Sequence, residues 1–200
     1  INGAWRPNTA ETGWRDLVGD IRVQDVGSAA APAWVAYQGN IKAWSFPAAG
    51  GATLREVYLT FHIDHDYKPG SDMYIHAHWS CAAAATGNVK WYFDVMYAKG
   101  HNQAAFPAVK TCSVVQAASG TAYQHMIAEV QMSAASPDAT QYDSDDLEVD
   151  GILMVRAYRD RDDAADTCNQ TVFLHTVDIH YQSDRTTTLN KAPNFYGATP

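Results

Sequence analysis

Two hundred residues and 21.9 kDa suit one large domain or two small ones, and a compact chain of this mass buries about 70% of its extended surface, enough for a self-supporting core. With 46% hydrophobic and 18% charged residues, the composition excludes disorder as the main state, and no apolar run approaches the roughly 20 residues of a membrane-spanning helix. A net charge of −8 excludes nucleic acid as an expected partner, because phosphate binding calls for a concentrated basic surface.

In chain order, residues 1–29 read as an N-terminal arm and lead-in segment. The first thirteen are polar and turn-rich, with Trp5 among them and Trp14 just after them as isolated aromatic anchors, and with no apolar stretch of the kind a secretory signal carries. From there strand signals are dense and helix signals nearly absent. Residues 34–37 and 41–46 flank Gly39-Asn40, a tight hairpin turn. Val57, Leu59, Phe61 and Ile63 alternate with Tyr58, Thr60, His62 and Asp64. After the turn at 66–70, Met73, Ile75, Ala77 and Trp79 alternate with Tyr74, His76, His78 and Ser80, and then Val89, Trp91, Phe93, Val95 and Tyr97 with their polar neighbours. These three strands are expected to form a meander.

Residues 111–115 and 125–131 read as shorter strands, and 133–150 as a long polar loop. Residues 152–158, apolar at both alternating sets, read as a strand covered on both sides, and 172–181 as a last long strand. About nine strands without crossover helices predict an all-β fold: an antiparallel β-sandwich, jelly-roll-like, over residues 30–182. A C-terminal arm, 183–200, carries Phe195 and Tyr196. Trp5, Trp14, Phe195 and Tyr196 are therefore interface candidates, aromatic area that a neighbouring subunit can bury.

Chemistry-bearing motifs are few. Asp138, Asp143, Asp145, Asp146, Glu148 and Asp150 crowd one stretch, but without the spaced ligands and mid-loop Gly of an EF-hand they read as a solvated acidic loop. Cys81, Cys112 and Cys168 form no metal spacing; they read as buried small hydrophobes, with one disulfide among them left open. No nucleophile elbow, phosphate-binding loop or His-Glu-x-x-His occurs, so neither catalytic residues nor a cofactor are expected. A sugar-binding face can be drawn from Trp34, Tyr37, Trp44 and Tyr92, although a sandwich core uses aromatics at similar density.

The histidines form the one constellation that suggests a metal. His76 and His78 share a strand face, His62 lies on a strand expected to neighbour them, and His65, Asp64 and Asp66 are close in sequence. The spacing is similar to the metal-binding His-x-His of cupins. The Glu that completes that set a few residues later is missing, with Trp79, Ser80 and Cys81 in its place. Asp94, or Asp178 and His180, can substitute only where the strand order sets them alongside. No metal is therefore expected.

The segment His62-Ile63-Asp64-His65-Asp66-Tyr67-Lys68-Pro69-Gly70-Ser71-Asp72, closed by His76-Ala77-His78-Trp79, resembles a group of virion proteins of tailed bacteriophages. The downstream order is similar too: Gly87-Asn88-Val89-Lys90-Trp91, Phe106-Pro107, residues 152–156 before Arg159-Asp160, Ala165-Asp166-Thr167, and Asp178-Ile179-His180-Tyr181-Gln182-Ser183-Asp184. The resemblance implies a β-sandwich on the particle exterior, assembled in the host cytoplasm, with structural rather than catalytic histidines. It implies a non-enzymatic capsid decoration (cement) or head-fibre protein, a homo-oligomer expected to be a trimer, that binds the major capsid protein or another virion protein. The alternative is a tail-fibre module binding a host-surface glycan.

Overall fold

The computed structural model describes residues 12–23, 30–48, 54–102 and 104–197. Its strands are Gly13–Val18 (β1), Arg22–Val23 (β2), Ala33–Gln38 (β3), Ile41–Phe46 (β4), Leu54–His62 (β5), Tyr74–Cys81 (β6), Asn88–Ala98 (β7), Lys110–Ala117 (β8), Met126–Gln131 (β9), Ser133–Ala134 (β10), Tyr142–Asp143 (β11), Ile152–Asp160 (β12) and Val172–Ser183 (β13). Among the described residues the helical content is a single 3-10 turn, Ser144–Asp146. All nine expected strands are present. Gly39, with φ +55°, makes the turn between β3 and β4, a conformation that costs a residue without Cβ little.

Two antiparallel sheets face each other, as an antiparallel β-sandwich of jelly-roll-like kind requires. One has the order β3-β4-β13-β6-β9, with β1 also on β13; the other has β2-β5-β12-β7-β8. Period-2 alternation sends one side of each strand inward. Val57, Leu59 and Phe61 from β5, Ile75, Ala77 and Trp79 from β6, and Trp91, Phe93 and Val95 from β7 are all buried in one core. Phe46 meets Trp91 edge-on at 5.2 Å between ring centroids, the favoured aromatic geometry.

The expected meander of β5, β6 and β7 is not formed. β5 and β7 flank β12 in one sheet, while β6 lies in the other between β13 and β9. Residues 63–73 carry the chain across the sandwich, and Ile63, Tyr67 and Met73 are fully buried along the way. The alternation is the same for either pairing, because a strand's inward face does not reveal which sheet it joins. Likewise β12 is covered on one side only: Leu153, Val155 and Ala157 are buried and Met154 is exposed.

Both arms need correction. Gly13–Val18 pairs with β13 along its length, and Arg22–Val23 pairs with β5. Trp14 therefore sits on a sheet strand rather than on a free arm. At the other end Phe195 is 6% exposed and packs within the same chain against His65 and His101. Tyr196 donates to the Tyr67 carbonyl and stacks under Arg185. Residues 184–197 thus fold back on their own sandwich and need no neighbouring subunit for order. Trp5 lies outside the described residues. The stretch 133–150 is not a solvated loop throughout, since Tyr142, Ser144, Leu147 and Val149 are buried.

One end of the sandwich is held by a buried charge cluster. Arg159, 1% exposed, makes a two-pronged pair with Asp166 at 2.8 and 2.9 Å and donates to the carbonyls of Phe46, Gln170 and Cys168. Asp166 also accepts from Arg161 and from the Lys90 amide. A planar guanidinium whose donors all find acceptors can be buried; one that loses its carboxylate is left as an uncompensated charge. Replacing Asp166 with Asn is expected to lower the unfolding free energy by about 3–5 kcal/mol in urea titration followed by circular dichroism. A loss below about 1 kcal/mol, the size of an exposed pair, would contradict this.

Candidate functional site

The eight histidines fall into two groups on different parts of the molecule. His62, His65 and His101 converge on Asp150, with ring nitrogens 3.2, 2.8 and 2.7 Å from its carboxylate. His65 also bonds Thr188 at 2.7 Å. Asp150 itself holds φ +60°, a strained backbone for a residue with a side chain. His62 is thereby separated from His76 and His78, contrary to the expectation, because β5 belongs to the opposite sheet.

The other five lie on the outer face of the β3-β4-β13-β6-β9 sheet. β6 presents Tyr74, His76, His78 and Ser80 outward; its register with β13 sets Asp178 opposite His76 and His180 opposite Tyr74. Across the other edge β9 sets Glu129 opposite His76, and β1 sets Asp16 opposite His180. The condition left open by the sequence is met for Asp178 and His180. It fails for Asp94, which lies in the other sheet and is bound by Arg156 and Thr111.

Irregular backbone aims two more side chains onto this face. The register of β13 shifts between Leu174 and Thr176, and that of β3 between Ala36 and Gln38, as bulges do beside functional surfaces. The residues displaced are His175 and Tyr37. Both bond the Ser80 hydroxyl at 3.0 Å, and their rings meet edge-on.

Hydrogen bonds run through the imidazoles. His76 Nε2 is 2.9 Å from His78 Nε2, and His78 Nδ1 is 2.7 Å from His125 Nε2. His180 bridges Glu129 at 2.5 Å and Asp16 at 2.7 Å. His76 is 1% exposed although its strand face is the outer one. Burial, helped by the neighbouring His180 and His78, pulls its pKa down to about 4. Burial also lowers those of His78 and His175, since removing water disfavours the charged imidazolium.

Beside the histidines, the exposed indole of Trp14 stands between two grooves. One, of about 390 Å³, is lined by Trp14, Tyr74, Glu129 and His180; the other, of about 320 Å³, includes Lys68, Asp72 and Gln182. Trp14 is 55% exposed and meets Tyr74 edge-on at 5.7 Å. Trp14 entered the sequence reading only as an arm anchor; that β1 is a strand, and that Tyr74 lies next to it, follow from long-range pairing. The aromatics first considered for a sugar face do not share a surface. Trp34 packs at a tilt against Trp44 across β3 and β4, while Tyr92 stacks on Tyr158 on the opposite sheet. A third groove there, about 400 Å³, is lined by Arg156 and Asp94 among others, and Arg156 is already paired with Glu56 and Asp94.

All three cysteines are buried and free. The hydrogen bond that the Cys81 thiol donates to Cys168, together with burial, raises the pKa of Cys81. Among the described residues the acidic stretch 138–150 gathers no cation-sized ligand group; the two such groups centre on His76.

No family model and no curated protein matches the chain. Similar solved structures include the CBM22-1–GH10 modules of Clostridium thermocellum xylanase 10B complexed with xylohexaose. That likeness has 10% identity and a TM-score of 0.38, and it covers 89% of this chain but 28% of the other. Two more are the xylan-binding module CBM15 (12% identity, TM-score 0.34, covering 90% and 97%) and TmCBM61 in complex with β-1,4-galactotriose (14%, 0.31, covering 83% and 86%). Identities and TM-scores this low assign neither a family nor a ligand.

A pH test follows from His175. Its folded pKa lies below the ordinary 6.5, so below about pH 6.5 the unfolded chain binds more protons than the folded one, and stability falls as pH drops. In chelator-treated protein, the melting temperature is expected to fall between pH 7 and 5, and to fall less in His175→Phe. Parallel profiles for the two proteins would contradict this.

Proposed function

We propose that the protein is a non-catalytic carbohydrate-binding module whose sugar surface is the pair of grooves divided by Trp14. The observation that carries this reading is the exposed indole standing between two open grooves, edge-on to Tyr74, with polar side chains on either flank. A pyranose ring has an apolar face of C–H groups and a rim of hydroxyls. The flat indole suits the face, at little conformational cost. The rim meets the Tyr74 hydroxyl and the Gln182 amide, neither of which has a hydrogen-bond partner among the described residues, and the carboxylate of Glu129. Such a site is mostly apolar, with a few placed polar groups, as small-ligand sites are. The reading rests on this surface alone.

The test is a glycan array followed by calorimetry with the oligosaccharides it selects. Trp14→Ala is expected to weaken binding by at least about tenfold, with the sheet spectrum and melting temperature unchanged because the side chain is exposed. No selected glycan at millimolar concentration, or equal binding by the variant, would overturn the proposal.

The setting we propose is the exterior of a tailed-phage particle, with the chain as a homo-oligomer attached to a capsid or fibre protein. What favours it is that the residues carrying the resemblance meet in space. Tyr181 bonds Asp66 at 2.7 Å, the Lys68 amide bonds the Gln182 carbonyl at 2.8 Å, and Arg159 pairs with Asp166. These are scaffold contacts, the kind a common fold would keep. Mass spectrometry and antibody labelling of purified particles test it: the chain is expected on the outer surface, and its absence there would overturn this setting without touching the sugar-binding reading.

A further inference from the structure

We infer that His76, His78 and Asp178 form a binding site for a divalent transition metal of the zinc class. The three atoms that face one another are His76 Nε2, His78 Nε2 and Asp178 Oδ2, separated by 2.9, 3.3 and 3.9 Å. A circle through three points so spaced has a radius of about 2.0 Å, the length of a zinc bond to imidazole nitrogen or carboxylate oxygen. The mean separation is about 3.4 Å, the edge of a tetrahedron built on such bonds. Two imidazoles and one carboxylate leave a fourth position, on the side where His78 reaches solvent. Hard oxygen-only cations such as magnesium are poorly served by this nitrogen-rich set, whereas zinc is well served.

The hydrogen-bond accounting points the same way. Each neutral imidazole has one N–H and one lone pair. If His78 donates from Nδ1 to His125, its Nε2 lone pair faces the Asp178 carboxylate. If it donates from Nε2 instead, that single proton has both His76 Nε2 and Asp178 Oδ2 to serve. His76 Nδ1, buried with no hydrogen-bond partner, lies on the far side of the ring and is not one of the three facing atoms. A cation accepts all three electron pairs at once.

The groups behind the ligands are already in place. His125 is set to receive His78 Nδ1–H, and Thr176 holds the other Asp178 oxygen at 2.8 Å. Glu129 lies 3.7 Å from His76 Nδ1. Partners of this kind fix the tautomer and orientation of metal-bound histidines. None of the three ligands belongs to the sugar surface, although Glu129 borders both sites.

The experiment uses the full chain, stripped with chelator, dialysed against zinc and assayed by elemental analysis, with competition against a chromophoric chelator for affinity. Cobalt substitution adds a spectroscopic readout, the visible bands of a four-coordinate ion. About one zinc per chain is expected, with four-coordinate cobalt bands. His78→Asn and Asp178→Asn should each weaken affinity by at least about tenfold, and Trp14→Ala should leave it unchanged. Because His76 is buried and its variant can fail to fold, the partly exposed His78 is the primary test. Zinc below a tenth of an equivalent would overturn the inference, as would affinity unchanged in both variants, or lost equally in His62→Asn at the other histidine group.

Discussion

The outer-face chemistry depends on β13 lying between β4 and β6. At its first turn of pairing β13 meets β4 through Val172–Leu174, and farther along it meets β1 through residues 178–183, while β6 runs along nearly its whole length. That position is set by burial. Val177, Ile179 and Tyr181 are inward and closed off from solvent, and a slip of one residue would turn all three outward and exchange them for Asp178 and His180. Holding the apolar set inward is worth several kcal/mol at about 25 cal/mol per Å², and this same preference fixes Asp178 opposite His76. The polar arrangement is thus enforced by the hydrophobic one on the reverse side of the strand.

How far the sequence revealed this architecture can be seen strand by strand. Alternation located every main strand to within a few residues, because an inward face such as Ile75, Ala77 and Trp79 is written directly into the chain. Alternation says nothing about lateral neighbours. His62 and His76 were accordingly grouped, although residues 63–73 cross from one sheet to the other. Asp178 and His180 were recognised as conditional partners of the His-x-His pair, and only the β6–β13 register could satisfy the condition. The terminal segments misled for a related reason. Gly13–Val18 has weak alternation because its outer face is exposed on a sheet edge, where Trp14 and Asp16 look out and Leu17 alone is buried. Phe195 is anchored by His65 and His101, residues roughly a hundred positions away, and no local pattern could announce that.

The motifs behind the resemblance to virion proteins have a physical account in this structure. Asp66 accepts from Tyr181 and pairs with Arg15, so the turn after β5 is clamped to the end of β13. Tyr67 donates to the Ser71 carbonyl and is completely buried. At the other end of the sandwich, Arg159 and Asp166 perform the equivalent task. These residues close the two ends of a sandwich whose strands change sheet at almost every step. They hold the crossover connections in place.

The two histidine groups show how a scaffold use of imidazole differs from a binding use. Around Asp150 the bookkeeping closes: three rings share one carboxylate, His65 has Thr188 on its far nitrogen, and Phe195 covers the cluster. On the outer face of β6 and β13 the accounting fails at one atom, His76 Nδ1. Two imidazole nitrogens and a carboxylate oxygen also converge nearby. Keeping a fully enclosed imidazole there forgoes about 1–3 kcal/mol of hydrogen bonding, a sizeable fraction of a domain's net stability. A cation at the convergence of His76, His78 and Asp178 would not reach Nδ1, but its bonds to the three facing atoms would offset that cost, and stability would then rise with metal occupancy.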